Sequence, residues 1–282
     1  MKKNILILVI CALGSQLFTK AQTALDGAYV PEHNPTRRVI PYPHLRQADV
    51  MWKRRIWERI DLKQKMNFSL YYPTTPIKGR YCLFDLIKQG VLDGQITAYN
   101  TINAMGQNDD EFTDPKTAQQ IQEVFYPKVP EDSLDENGEK VGVKMVDKPL
   151  KSEKILAYEL KEDWIFDKQR SERYVRIIGI GPVVEPNLDG VKGKPQVIFW
   201  LYFPECRYLF ANADVFNLHN NSQPITFDDL FQKRMFNAYV VKEENVYDRR
   251  IEEYFQDPMK QILESERIKE DLFLFEHDLW NY

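Results

Sequence analysis

The side chains able to carry chemistry are few in this chain, and their spacing argues against most of what they could do. His33, His44, His219 and His277 are scattered. No two stand at i, i+4 or beside a cysteine pair, the spacings that let one element present two ligands to a metal. Asp135, Asn137 and Gly138 resemble positions three, five and six of a calcium loop, but Lys144 stands where the bidentate glutamate belongs. Gly179-Ile180-Gly181-Pro182 and the pair Gly190 and Gly193 are followed by no Gly-Lys-Ser/Thr and fit no dinucleotide fingerprint. No Gly-x-Ser-x-Gly elbow occurs. Cys82 or Cys206 could act as a nucleophile beside a histidine base, with no local support for it. The carboxylate pairs Asp109-Asp110 and Asp228-Asp229 lie in a polar stretch and at a helix start. Asp228 reads as a helix N-terminal residue rather than a general acid. The sequence therefore nominates no catalytic, cofactor-binding or metal-ligating residue, and the chain reads as a non-enzyme without cofactor.

The segments that would position any site begin with an export signal. Met1-Lys2-Lys3 is a short cationic start, residues 5–13 are apolar, and Thr19-Lys20-Ala21 offers a small residue before Gln22. This is the build of a secretory signal peptide over 1–21. The apolar run is too short for a spanning helix, which needs about 20 residues, and no later stretch is long enough, so direct membrane insertion is not expected. Cys11 suggests a lipoprotein box, but Ile10 before it is bulky where lipidation wants a small residue. Of 38 Lys and Arg, removal of Lys2, Lys3 and Lys20 leaves 35 against 42 acidic residues, a net charge of −7 that disfavours nucleic acid. Hydrophobic content of 43% with 28% charge places the chain among globular proteins. Its 13% aromatics fit a ring-rich core, or rings at protein interfaces. Cys82 and Cys206 can pair in an oxidising compartment, closing a long loop for about 4–5 kcal/mol, or remain two buried thiols.

The fold class read from the pattern is α+β, mixed helices and short antiparallel sheets, in two halves. Prolines 31, 35, 41 and 43 make 22–45 an extended arm. Its Tyr29, Val39, Ile40 and Tyr42 argue that it lies across its own domain or a neighbouring subunit. An N-terminal half, 46–126, opens with a helix over 46–65. Val50, Ile56, Trp57 and Ile60 share its stripe, and Arg46, Lys53, Arg54, Arg55, Arg59, Lys63 and Lys65 lie on its polar face. A strand at 67–72, a helix at 83–90, a short strand at 96–99 and a helix at 115–125 with Pro115 in its first turn follow. Residues 127–151 form a polar insertion with a hairpin turn at 135–138. The C-terminal half, 152–282, reads as a helix over 153–170, strands at 174–184 and 196–203, and a helix at 227–236. A charged helix closes it at 258–275, with Ile262, Leu263, Leu272 and Phe273 inward. Phe68-Ser69-Leu70-Tyr71-Tyr72-Pro73 before Phe84-Asp85-Leu86 is echoed by Trp200-Leu201-Tyr202-Phe203-Pro204 before Phe227-Asp228-Asp229-Leu230. The echo suggests an old duplication.

Several segments carry a family resemblance. Gly27-Ala28-Tyr29-Val30-Pro31 through Arg37-Arg38-Val39-Ile40-Pro41-Tyr42-Pro43 resembles the mature start of the gliding-motility GldN, or PorN, family. So do Asp49-Val50-Met51-Trp52-Lys53-Arg54-Arg55-Ile56-Trp57-Glu58-Arg59-Ile60-Asp61-Leu62-Lys63, Leu83-Phe84-Asp85-Leu86-Ile87-Lys88 and Gly94-Gln95-Ile96-Thr97-Ala98-Tyr99. Trp200-Leu201-Tyr202-Phe203-Pro204-Glu205-Cys206-Arg207 and Thr226-Phe227-Asp228-Asp229-Leu230-Phe231-Gln232-Lys233-Arg234 complete the set. The resemblance spans most of the mature chain and is most specific at 52–63 and 227–234. It implies a periplasmic, non-enzymatic core component of the type IX secretion and gliding machinery. Such a protein self-associates in a large ring beneath the outer membrane, with the lipoprotein GldK or PorK as anchor. The periplasmic domains of the motor protein GldM or PorM are the further partner implied.

Rings need heterologous contacts, one patch meeting a different patch on the next copy. The charge distribution suggests which: the arm and the basic 46–65 segment on one side, with Arg37, Arg38, Tyr42, Arg54, Arg55 and Arg59 as interface residues. The acidic stretches 109–114 and 131–136 would lie opposite. Reversing Arg54 and Arg55 to Glu is then expected to impair assembly while sparing the fold. The alternative is a stand-alone periplasmic ligand-binding protein or hydrolase with a cleft between the halves.

Overall fold

Charged residues that look like helix surface in the sequence face one another across a sheet. In β1 (Val50–Asp61) and β5 (Ile155–Asp167) the register sets Arg55 opposite Asp163 and Arg59 opposite Glu159. Directly opposed residues share a face, so each pair neutralises two charges that would otherwise be costly to bury. This overturns the helices expected at 46–65 and 153–170. Ile56 and Ile60 are four apart, a spacing that satisfies the helical period and the two-residue strand period alike.

The computed structural model describes residues 37–77, 79–102, 111–134, 140–185, 187–188, 191–217, 220 and 223–279. The signal peptide, Cys11, most of the arm and the turn at 135–138 lie outside the described residues. So do Asp109 and Asp110 of the first acidic stretch.

The protein is of mixed α+β class. Its centre is a seven-stranded sheet in the order β13-β1-β5-β6-β10-β2, with β9 also paired to β6. β2 is Ala98–Tyr99, β6 Glu172–Val184, β9 Gln196–Val197, β10 Trp200–Tyr202 and β13 Tyr239–Glu243, all joined antiparallel. β3 (Lys128–Leu134) and β4 (Lys140–Asp147) form a separate hairpin. Two small ribbons, β7 (Asn187–Leu188) with β8 (Val191–Lys192) and β11 (Asp214–Val215) with β12 (Ile225–Thr226), complete the strands among the described residues. The central sheet draws from both sides of the 127–151 insertion.

The helices are α1 (Phe68–Tyr71), α2 (Leu83–Leu92), α3 (Ala118–Phe125), α4 (Phe203–Phe210), α5 (Phe227–Gln232), α6 (Ile251–Tyr254) and α7 (Pro258–Leu279). Several boundaries correct the sequence reading. Thr117 caps α3: its hydroxyl accepts from Gln120 N at 3.4 Å, while its own N–H donates to the Gln120 side chain at 2.9 Å. The helix therefore starts after Pro115, which instead bridges Tyr99. The strand expected at 67–72 is helical because buried Asn67 ties the turn down. Its amide donates to the carbonyls of Asp61 and Asn237, at 2.8 Å each. The two echoing aromatic-proline segments thus fold differently, one as a helix and the other as a strand running into α4, which does not support a duplication.

Most of the core lies where Ile60, Tyr158, Leu160, Ile180 and Leu201 of the sheet meet α2, α4 and α5. Phe203, Phe210, Phe227 and Phe231 pack there with ring centroids 5.4–6.3 Å apart. A second cluster joins Ile56, Trp164 and Val240 to Ile251, Ile268 and Leu272. Of the α7 residues expected inward, only Leu272 is buried; Ile262, Leu263 and Phe273 are each more than half exposed. The docking face is chosen by polar needs of the sheet edge. Ser265 Oγ accepts the Val240 N–H at 2.8 Å, and Lys269 Nζ donates to the Ala238 carbonyl at 2.6 Å.

Gly181 lets the 196–200 segment close on β6. A Cβ there would stand 2.5 Å from Val197 Cγ1 and 2.8 Å from the Phe199 carbonyl oxygen. Gly181→Ala is expected to destabilise the protein by about 1–3 kcal/mol through overpacking. An unchanged thermal midpoint would show that the segment can move away.

Candidate interaction surface

The surface nominated by the sequence divides into two parts. The first is the end of the arm. Residues 37–46 adopt neither helix nor strand and are held by side chains of the body. The Arg37 N–H donates to Asn212 Oδ1 at 3.1 Å, and its guanidinium lies 3.7 Å from Asp229. Tyr42 sits on two guanidinium groups, with Arg207 4.7 Å and Arg176 5.5 Å from the ring centroid. Gln232 donates to its hydroxyl at 3.3 Å, and Arg176 donates to the Pro43 carbonyl at 2.5 Å. Burial pushes the Tyr42 phenol above its usual pKa. Arg38, between the anchors, is exposed.

Arg207 makes this a built socket rather than a chance contact. It is only 4% exposed, and a bidentate pair to Asp228, at 2.8 and 3.2 Å, fixes its plane. The sequence reading placed Asp228 correctly at the start of α5. It missed Arg207, Arg176 and Gln232, which three separate elements bring to the arm and no local spacing announces.

The second part is the arginine set of β1, which the fold uses internally. Arg55 is bidentate to Asp163 at 2.7 and 3.2 Å, and Lys53 reaches the same carboxylate at 2.9 Å. Arg54 pairs with Glu243 at 2.5 Å. Arg59 donates to the fully buried Glu159 at 3.0 Å, which also receives Arg250 at 2.7 and 3.1 Å. Burial pushes Glu159 and Asp163 upward, but their cationic partners outweigh it and hold both below the ordinary carboxylate range. Of the six nominated residues, Arg37 and Tyr42 meet in one socket, while Arg54, Arg55 and Arg59 lie along a strand, each with its own acid.

Cys82 and Cys206 are separate free thiols buried in the core, so the disulfide considered from sequence is not formed. Cys82 caps α2, accepting from Asp85 N at 3.4 Å. Burial pushes its pKa to about 11 and that of Cys206 well up, keeping both protonated and poorly nucleophilic. Among the described residues no group of His, Cys, Asp and Glu is placed to hold a metal ion, and no helix is long and apolar enough to cross a membrane. A cavity of about 470 Å³ lies between β13 and α7, lined by Arg59, Tyr239, Arg250, Ile251 and Ile262 among others.

Fold and surface together define a mixed α+β protein whose distinctive features are a side-chain-strapped arm and a sheet bound by charge pairs. Residues 45–281 match the family described as gliding motility associated protein GldN, and the chain belongs to that family. It is a family of proteins associated with gliding motility. No curated protein matches the chain.

Proposed function

We propose that this protein is a structural subunit of a periplasmic ring of the type IX secretion and gliding machinery. It assembles with an outer-membrane lipoprotein of the GldK or PorK kind and contacts the motor protein GldM or PorM. Membership of the GldN family over 45–281 carries the reading. The export-type segment at 1–21 and the exposed Arg38 and Ile40 of the 37–45 segment support it.

Light scattering and negative-stain microscopy of the mature protein, alone and with the lipoprotein, test it. Co-purification as large rings is the expected result. A persistent monomer that never captures the lipoprotein would favour the stand-alone binding protein, and the cavity beside β13 would be its first site to probe.

Charge reversal now has a better target than Arg54 and Arg55. Glu at position 55 would face Asp163 across the sheet and damage the fold itself. Arg38→Glu leaves the intramolecular pairs intact. It is expected to reduce captured lipoprotein or self-association by about tenfold or more, since a reversed rim charge costs upward of ~1.4 kcal/mol. Stability should stay within about 0.5 kcal/mol, as for most surface substitutions. Undiminished capture would remove Arg38 from the interface.

A further inference from the structure

We propose that in the assembled protein the socket formed by Arg176, Arg207, Asn212, Asp228 and Gln232 is filled by the 37–45 segment of a second copy of this chain. The inference rests on the ring reading and names the contact that would build it. The socket stands without the arm, because Arg207 is locked to Asp228 inside the body and presents its face outward to Tyr42. The arm does not depend on a backbone ladder: the body's side chains hold it at Arg37, Tyr42 and Pro43. Those contacts are the same whichever copy supplies the arm, so exchange costs little.

Charge and exposure point the same way. The arm brings Arg37 toward Asp229 and Tyr42 toward the Arg207–Asp228 pair. Between these anchors Ile40 is 81% exposed, and Arg38 and Pro41 are exposed beside it. Pro41 and Pro43 keep the arm extended and lower the entropy lost on docking. The stretch from Pro43 to Asp49 ends in a short 3-10 turn, Gln47–Asp49, and reaches about 24 Å once that turn opens, which makes it the hinge of the exchange. Arm and socket are different patches, so the exchange can run head-to-tail, the class of contact that closes into a ring when the rotation between copies allows it.

The test uses two differently tagged copies of the full chain, both carrying Cys11→Ala, one Arg37→Cys and one Asn212→Cys, co-expressed and treated with a short bis-maleimide. Cys82 and Cys206 are at most 1% exposed and stay silent. A product joining the two tags can form only between chains and is expected as the main cross-link. Adding Tyr42→Ala to the first copy should reduce it at least tenfold. The inference is overturned, and the ring reading left standing, if both tags share an assembly without a cross-tag product while the double variant R37C/N212C is bridged within single chains. Both tags in one assembly with neither product formed places the arm elsewhere and also overturns it. If no assembly holds both tags, the ring reading itself fails and takes the inference with it.

Discussion

Glu159→Leu is expected to destabilise the protein by about 3–5 kcal/mol, the cost of removing one partner from a buried ion pair. Glu159 is fully buried and takes Arg59 on one oxygen and Arg250 on both. Leucine would leave two guanidinium groups without their acceptor. Arg59 suffers most, because its Nε is buried and already without an acceptor among the described residues. The Arg250 side chain is 28% exposed and can turn to water at smaller cost. A urea titration at neutral pH measures the loss. The triple variant Arg59→Met, Glu159→Leu, Arg250→Met should recover much of it, since an apolar trio of similar volume often matches a buried charged one. A loss below about 1 kcal/mol for the single variant would mean that water reaches the arginines and that the triad adds little to the sheet.

The same triad shows what the sequence could and could not disclose. Arg59 and Glu159 are a hundred residues apart, and each sits in a segment whose charges, taken alone, look like the wet side of a helix. Only the pairing of β1 with β5 turns them into a buried couple, and cross-strand pairing leaves no local trace. Elements whose signals are local were legible. The apolar run of α2 and the acidic start of α5 at Asp228 mark their helices, and the β-branched run of β6 its strand. For α7 the helix was legible but its buried face was not, because Ser265 docks on the sheet edge in place of a larger apolar side chain. At the arm, Tyr42 and its prolines signalled a docked extended segment. The socket was invisible, being assembled from β6, α4 and α5. The family motifs around Trp52–Lys63 were legible without their secondary structure, which is why identity was recoverable where the first strand was not.

Glu162 gives the second large expectation, a stability that falls between pH 5 and pH 8. Its carboxylate is fully buried beside that of Glu58, and Arg234 donates to both, at 2.8 and 2.9 Å. Burial first, and the neighbouring Glu58 charge second, push its pKa to about 7, against the pull of Arg234 and the Trp164 indole N–H. The proton is best assigned to the pair. Arg173 also stacks on Trp164 but is engaged by Glu276 at 2.7 Å, and Lys269 is engaged by the Ala238 carbonyl. Because the folded pKa lies above the unfolded value near 4.5, the folded state binds the proton more tightly. Its contribution is complete below about pH 4.5 and is lost as pH rises through about 7, an upper bound of about 3 kcal/mol. Glu159 and Asp163 work in the opposite sense. Their depressed pKa values stabilise the protein above the ordinary carboxylate range, and that contribution is lost as pH falls through it. Stability should therefore peak near pH 5. Glu162→Gln keeps the shape and removes the titration, so it should flatten the profile above pH 5 and raise stability at pH 8, while Arg234 keeps Glu58 as its acid. Urea midpoints of both proteins at pH 5, 6, 7 and 8 decide the matter. A wild-type midpoint that does not move across that range would mean that Arg234 satisfies both carboxylates at once, leaving no proton for the pair to hold.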